Sequence, residues 1–143
     1  MSMIVSSLIF VALLAVAIAH FLWSIGRTWP IRDEALLAKT VVGVPGITRM
    51  PPKIATFGVA IATLTAAIVA LALADDVSGG PWLSALGVAL ALVFFARGVI
   101  GYTAWFARLT PEEPFRTLDR RNYSPLCLLL GAGFATLAIM RFL

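Results

Sequence analysis

His20, Trp23, Ser24 and Arg27 fall at i, i+3, i+4 and i+7, so one helical face would carry an imidazole, an indole, a hydroxyl and a guanidinium. A second guanidinium, Arg97, stands inside the apolar run "FFARGVIGY" at residues 94–102. Histidine is the side chain whose charge changes near neutral pH, so it can bind or relay a proton. Arginine keeps its charge, and its planar fork grips carboxylates and phosphates through paired hydrogen bonds. The chemistry open to these groups is therefore proton transfer or anion capture. Serine–histidine catalysis would need Ser24 or Ser124 activated by His20, and no orienting acid is evident. One histidine and one cysteine, Cys127, cannot form a credible zinc or haem centre, so no metal or cofactor is expected. Cys127 reads as a small hydrophobe in an apolar helix and allows no internal disulfide. Walker, GxSxG and CxxC signatures are missing, and "GAGFA" lacks the strand–turn–helix context of a nucleotide fingerprint.

The chain that must position these groups is 61% hydrophobic and only 13% charged. A soluble domain carries about a quarter of its residues as charges, so too little polar surface remains to coat this one in water. The expected class is an integral membrane protein. Blocks from about Met3 to Trp23, Ile54 to Ala74, Trp82 to Leu109 and Pro125 to Leu143 can each cross a hydrocarbon core of about 30 Å. Backbone amides in lipid are satisfied within their own segment, so these blocks are helices, and the period-two alternation of a membrane barrel is absent. The expected fold is all-α: a single transmembrane domain over 1–143, built as an up-down four-helix bundle. The first block is expected to be retained as a span, because "MSMIVSS" has no positive region and the apolar run exceeds a signal core.

Lys and Arg resist transfer across the membrane. They concentrate at residues 24–53 and 110–124, while "DDVSGG" carries two aspartates and no base. Both basic loops are therefore expected in the cytoplasm and both termini outside, with Arg141 snorkelling to the interface. The formal charge of +4 points to anionic headgroups rather than nucleic acid, because the bases sit where topology needs them and carboxylates interrupt them. In the first loop Trp29-Pro30 should break the chain out of helix one. Asp33 and Glu34 should then start a short interfacial helix ending near Lys39. That loop reads as a stiff connector, with a lid over a cavity as the sharper alternative. Pro111, Pro114 and Pro125 restrict the later loop, where Phe115 and Leu118 can dip into the interface.

Arg97 follows Trp82 by fifteen residues, roughly 22 Å of helix, which places it in the cytoplasmic half of its span. Arginine at mid-membrane costs about 2.5–3.5 kcal/mol on insertion scales. No span contains an acid, so the partner must reach in from a loop, with Asp119 the first choice and Glu34 the next. Gly98 and Gly101 would leave room beside Arg97 for a ligand, a water or a helix. Tyr102, Trp105 and Trp23 suit the headgroup level. Gly58, Ala62, Ala66, Ala70 and Ala74 form a stripe of small residues that would set helix two well inside the bundle.

"HFLWSIGRTWP", "VVGVPGITRMPP", "ARGVIGY" and "FRTLDRRNYSPLCLLLG" together resemble the DUF3995 family of small bacterial four-helix membrane proteins, a domain of unknown function. The resemblance spans His20 to about Gly131 and implies the bacterial inner membrane and the four-helix fold, with no activity attached. The leading functional expectation is a cytoplasmic-side polar cavity of His20, Trp23, Arg97, Tyr102 and Asp119 that binds a small anionic or lipid-like ligand. Transport by so few helices would need a homo-oligomer. The alternative is a non-catalytic assembly subunit with a larger membrane partner, in which Arg97 is a brace. A third is an intramembrane enzyme using His20 as acid–base.

Overall fold

The structure is a computed structural model, and it describes residues 1–75 and 79–143. Asp76 and the rest of the central "DVS", one of the two aspartates weighed for topology, lie outside the described residues. All regular structure among the described residues is helical. Helices α1 (Ser2–Ser24), α3 (Lys53–Leu73), α4 (Gly80–Ile100) and the stretch Phe115–Met140 are long and apolar enough to cross a membrane.

These helices associate as two close pairs, α1 with α3 and α4 with α7 (Ser124–Met140). Their joint core draws on Ile9, Leu13, Ala67, Leu73, Leu83 and Phe134, all from the halves remote from the basic loops. In a bilayer leucine gains little by leaving lipid for protein, so helices that span one rely on close shape fit. Glycines supply it. A Cβ on Gly87 would meet Leu73 at 2.9 Å, and one on Gly133 would meet Ile9 at 2.7 Å. Hydroxyls within the spans mostly turn back on their own helix. Ser24 donates to the Phe21 carbonyl at 2.7 Å, Thr63 to Val59 at 2.8 Å and Thr136 to Ala132 at 2.9 Å.

Several boundaries differ from the sequence reading, each for a local reason. Helix α1 ends at Ser24, close to the expected bound, but its stop is Gly26 and not Trp29-Pro30. Gly26 takes φ +86°, Arg27 N–H reaches the Leu22 carbonyl at 2.9 Å, and Gly26 N–H reaches Trp23 at 3.1 Å. This is a Schellman stop. The third span, expected to run on to Leu109, ends at Ile100. Thr103 caps a separate short helix, α5 (Ala104–Leu109), by accepting the Phe106 N–H at 3.2 Å. The last span begins earlier than Pro125. Helix α6 (Phe115–Leu118) runs into a π-helical turn at Asp119–Tyr123 and on into α7. Helix α3 is not enclosed: Ala66, Ala70 and Ala74 of its small-residue stripe are buried, but Gly58 and Ala62 are exposed.

The short helix of the first loop is present as α2 (Glu34–Val41), and the Asp33 carboxylate caps it by accepting the Ala35 and Leu36 N–H groups. Its apolar residues divide between outside and inside, and Leu36 is exposed. Leu37 and Ala38 are fully buried because α2 packs on α6. The two basic loops interlock. Glu112 accepts the Gly46 N–H at 3.3 Å and pairs with Lys39 at 3.7 Å, while its own N–H donates to the Gly43 carbonyl at 3.1 Å. The Tyr123 hydroxyl donates to the Thr40 carbonyl at 3.1 Å. Gly43, at φ +73°, lies against the Phe115 ring, where any Cβ would overlap ring carbon. Arg141 is likewise held by protein, donating to Ser84 Oγ at 3.2 Å and to the Asp75 carbonyl at 2.6 Å.

Candidate functional site

Arg97 stands one turn before the end of α4. One of its terminal amino groups donates to Asp119 Oδ1 at 2.6 Å, and the other makes a longer contact to Ser124 Oγ at 3.5 Å. Ser124 in turn donates to Asp119 Oδ2 at 3.1 Å, which closes a triangle. The Asp119 side chain is 0% exposed and that of Arg97 35%. Asp119, the first-choice partner for Arg97, fills that role.

The π-helical turn is what brings Asp119 and Ser124 together. A backbone that bonds i to i+5 stacks residues five apart, and Ser124 N–H donates to the Asp119 carbonyl. Pro125 fits this register because it has no N–H to place. The carbonyl it would have met five residues back belongs to Arg120, and that oxygen accepts the Tyr102 hydroxyl at 3.1 Å. Tyr102 therefore fastens the α4–α5 elbow to the π turn, and among the described residues no hydrogen bond joins it to Arg97. Glycine is required opposite. A Cβ on Gly101 would run into Ser124 Oγ and stand 2.6 Å from Asp119 Oδ2, and one on Gly98 would meet Leu128 at 2.6 Å. The space these glycines leave is thus occupied by the neighbouring helix. Arg116 closes the elbow by donating to the Gly101 carbonyl at 3.3 Å.

Aromatic rings extend the set toward the first loop. The Arg97 guanidinium lies 4.9 Å from the centre of the Phe106 ring, a cation–π contact. Phe106 meets Phe115 at 6.2 Å, and Phe115 meets Tyr123 at 5.8 Å. Tyr123 then reaches Thr40 on α2. The charge is connected in this way to both loops.

His20 and Trp23 belong to another part of the molecule. Their rings meet at 4.7 Å on α1. His20 Nδ1 lies 2.9 Å from the Val16 carbonyl, which requires a proton on Nδ1 and leaves Nε2 as the second nitrogen. Trp23 Nε1–H donates to the Trp29 carbonyl at 2.7 Å. Among the described residues no hydrogen bond or ion pair joins His20 to Arg97. The reason is topological: α1 packs on α3 and α7, whereas α4 packs on α7 and α3. A groove of about 250 Å³ does exist, but Val88, Leu92, Phe95, Ala135, Ile139 and Phe142 line it, on the apolar faces of α4 and α7 away from both groups. Among the described residues no cluster of three His, Cys, Asp or Glu could hold a metal.

The family described as "Protein of unknown function (DUF3995)" matches residues 13–134, which include His20, the elbow, the π turn and most of α7. The chain belongs to this family. No curated protein and no solved structure matches it. In this DUF3995 protein the residues that sequence reasoning missed are Phe106 and Ser124. Phe106 carried no signal beyond its aromatic ring. Ser124 enters the sequence reading as a possible nucleophile and as part of the family stretch, not as a partner of Asp119, although its neighbour Pro125 is the mark of a broken helical register.

Proposed function

We propose that this is a multi-pass protein of the bacterial inner membrane, an up-down four-helix bundle that serves as a non-catalytic assembly unit. In this reading residues 24–53 and 110–124 face the cytoplasm and both termini face outward, because basic residues concentrate in those loops. The observation that carries the reading is the closed Arg97–Asp119–Ser124 triangle. The intramembrane charge is engaged in joining α4 to the start of α7, and its neighbouring glycines are filled by protein. Meanwhile α3 exposes Gly58 and Ala62 one turn apart, and nothing lies within 4 Å of where a Gly58 Cβ would be. Small residues at this spacing let another helix backbone approach closely in lipid. The partner would be a second copy or a larger membrane protein. Ala66 is buried inside, so substitution there reports internal packing instead. Purification in mild detergent tests the reading. A defined oligomer or stoichiometric partner should be lost in Ala62→Leu and retained in His20→Ala. A monodisperse wild-type monomer without any partner would overturn it.

One observation favours a second reading, capture of a small anionic or lipid-like ligand at Arg97. About a third of that side chain is exposed, 35%, so its outer edge can meet a carboxylate or phosphate. Arg97→Gln should then abolish thermal stabilisation by such anions while helix content stays unchanged.

A further inference from the structure

The elbow between α4 and α5 carries surface groups that the brace does not use. Helix α5 turns Phe106 inward against Arg97 and Phe115. Its other side faces out: Trp105 is 60% exposed, and Tyr102 and Leu109 are 45% exposed each. Arg108 lies three residues after Trp105 and shares that face, with its Nε donating to the Ala104 carbonyl at 3.3 Å. The Tyr102 hydroxyl, bonded to the Arg120 carbonyl at 3.1 Å, brings the exposed Arg120 to the same edge, with the exposed Arg121 next to it in the chain. Among the described residues no carboxylate pairs with Arg108, Arg120 or Arg121. The acids of this loop are engaged elsewhere: Asp119 with Arg97, Glu112 with Lys39 and Gly46, and Glu113 with the Thr117 N–H.

An exposed indole and leucine beside three guanidiniums without carboxylate partners suit the bilayer boundary. There the rings and aliphatic chains enter the acyl region while the cations meet phosphates. We propose that the α4–α5 elbow, with Arg108, Arg120 and Arg121, docks the phosphate headgroup of an anionic phospholipid. The proposal rests on the membrane reading given above. It commits to a lipid, because a soluble anion offers nothing for Trp105 and Leu109 to enter.

The test uses the full chain in neutral detergent, with phosphatidylglycerol and phosphatidylcholine added in turn. Retained lipid is counted by native mass spectrometry, and thermal unfolding is followed in parallel. Phosphatidylglycerol should be retained at least about tenfold over phosphatidylcholine. Each Arg→Gln change should lower its affinity about fivefold, and the triple change R108Q/R120Q/R121Q about a hundredfold. Equal retention of the two lipids would overturn the proposal, as would unaltered selectivity in the triple variant. Inorganic phosphate giving the same stabilisation as phosphatidylglycerol would also overturn it, in favour of a soluble-anion site. If the triple variant does not fold, R120Q alone decides by the same criterion. An alkaline carbonate wash separates the two claims. Protein that stays in the membrane yet shows no lipid preference refutes the docking site, and protein released by carbonate refutes the membrane reading.

Discussion

The two helix pairs solve different problems. Helices α1 and α3 bury Leu13, Ala17, Ala60, Ala67 and Ala70, and their one Lys or Arg, Lys53, stands at the first residue of α3. Helix α4 carries Arg97 in its last turn and α7 must help neutralise it; in the proposed membrane setting an arginine at the centre of a span costs about 2.5–3.5 kcal/mol on insertion scales. There a Cβ on Gly98 or Gly131 would stand 3.0 or 3.1 Å from backbone of the facing helix, Gly101 makes room for the Ser124 side chain, and Asp119 closes on the guanidinium. The same residue type, glycine, is indispensable to internal packing at 101, whereas at 58 nothing lies within 4 Å of where its Cβ would be. Close approach is demanded where a buried ion pair must be completed, and only tolerated where a helix face looks outward.

Substitutions can break this contrast, and the largest effect should come from Asp119→Ala. It leaves a guanidinium and a serine without their acceptor and should cost about 3 kcal/mol in thermal or denaturant unfolding. That lies at the low end for a broken buried pair because the Arg97 side chain is 35% exposed. Next is Gly101→Ala, whose Cβ overlaps Ser124 Oγ and should cost about 2 kcal/mol. Tyr123→Phe removes the hydroxyl that reaches Thr40 and should cost about 1 kcal/mol, read as faster hydrogen exchange in α2. At the bottom of the series stand Gly58→Ala and Lys39→Gln, each expected within about 0.5 kcal/mol of the parent. The first meets no neighbouring atom, and the second loosens a long, solvent-exposed ion pair. A Gly58→Ala loss as large as that of Gly101→Ala would erase the distinction between the pairs.

Much of this was legible in the residues, and the exceptions have physical causes. Hydropathy located the four long helices, since apolar length is a local property. Charge logic singled out Asp119 for Arg97, because no span offers an acid and few loop acids could reach. His20 misled. Antiparallel helices put it at a depth comparable to that of Arg97, and depth says nothing about which helices are neighbours. The inner face of α2 is hidden for a related reason: Leu37 and Ala38 suit a membrane surface or a protein surface equally, and only the other loop decides. The π turn was hidden because Asp119–Tyr123 is polar and reads as loop until Ser124 and Pro125 are placed over it. Glycines 98 and 101 were correctly marked as space, and the occupant proved to be α7.

The central claim is that Arg97 and Asp119 act as one unit joining α4 to the last span. A double-mutant cycle with Arg97→Leu, Asp119→Leu and the combined variant, followed by unfolding in lipid bicelles, measures this directly. Coupling of about 2 kcal/mol, with the double variant more stable than the Asp119 single, is the predicted result. Coupling below about 0.5 kcal/mol would contradict it, leaving Arg97 free of the helix packing around it.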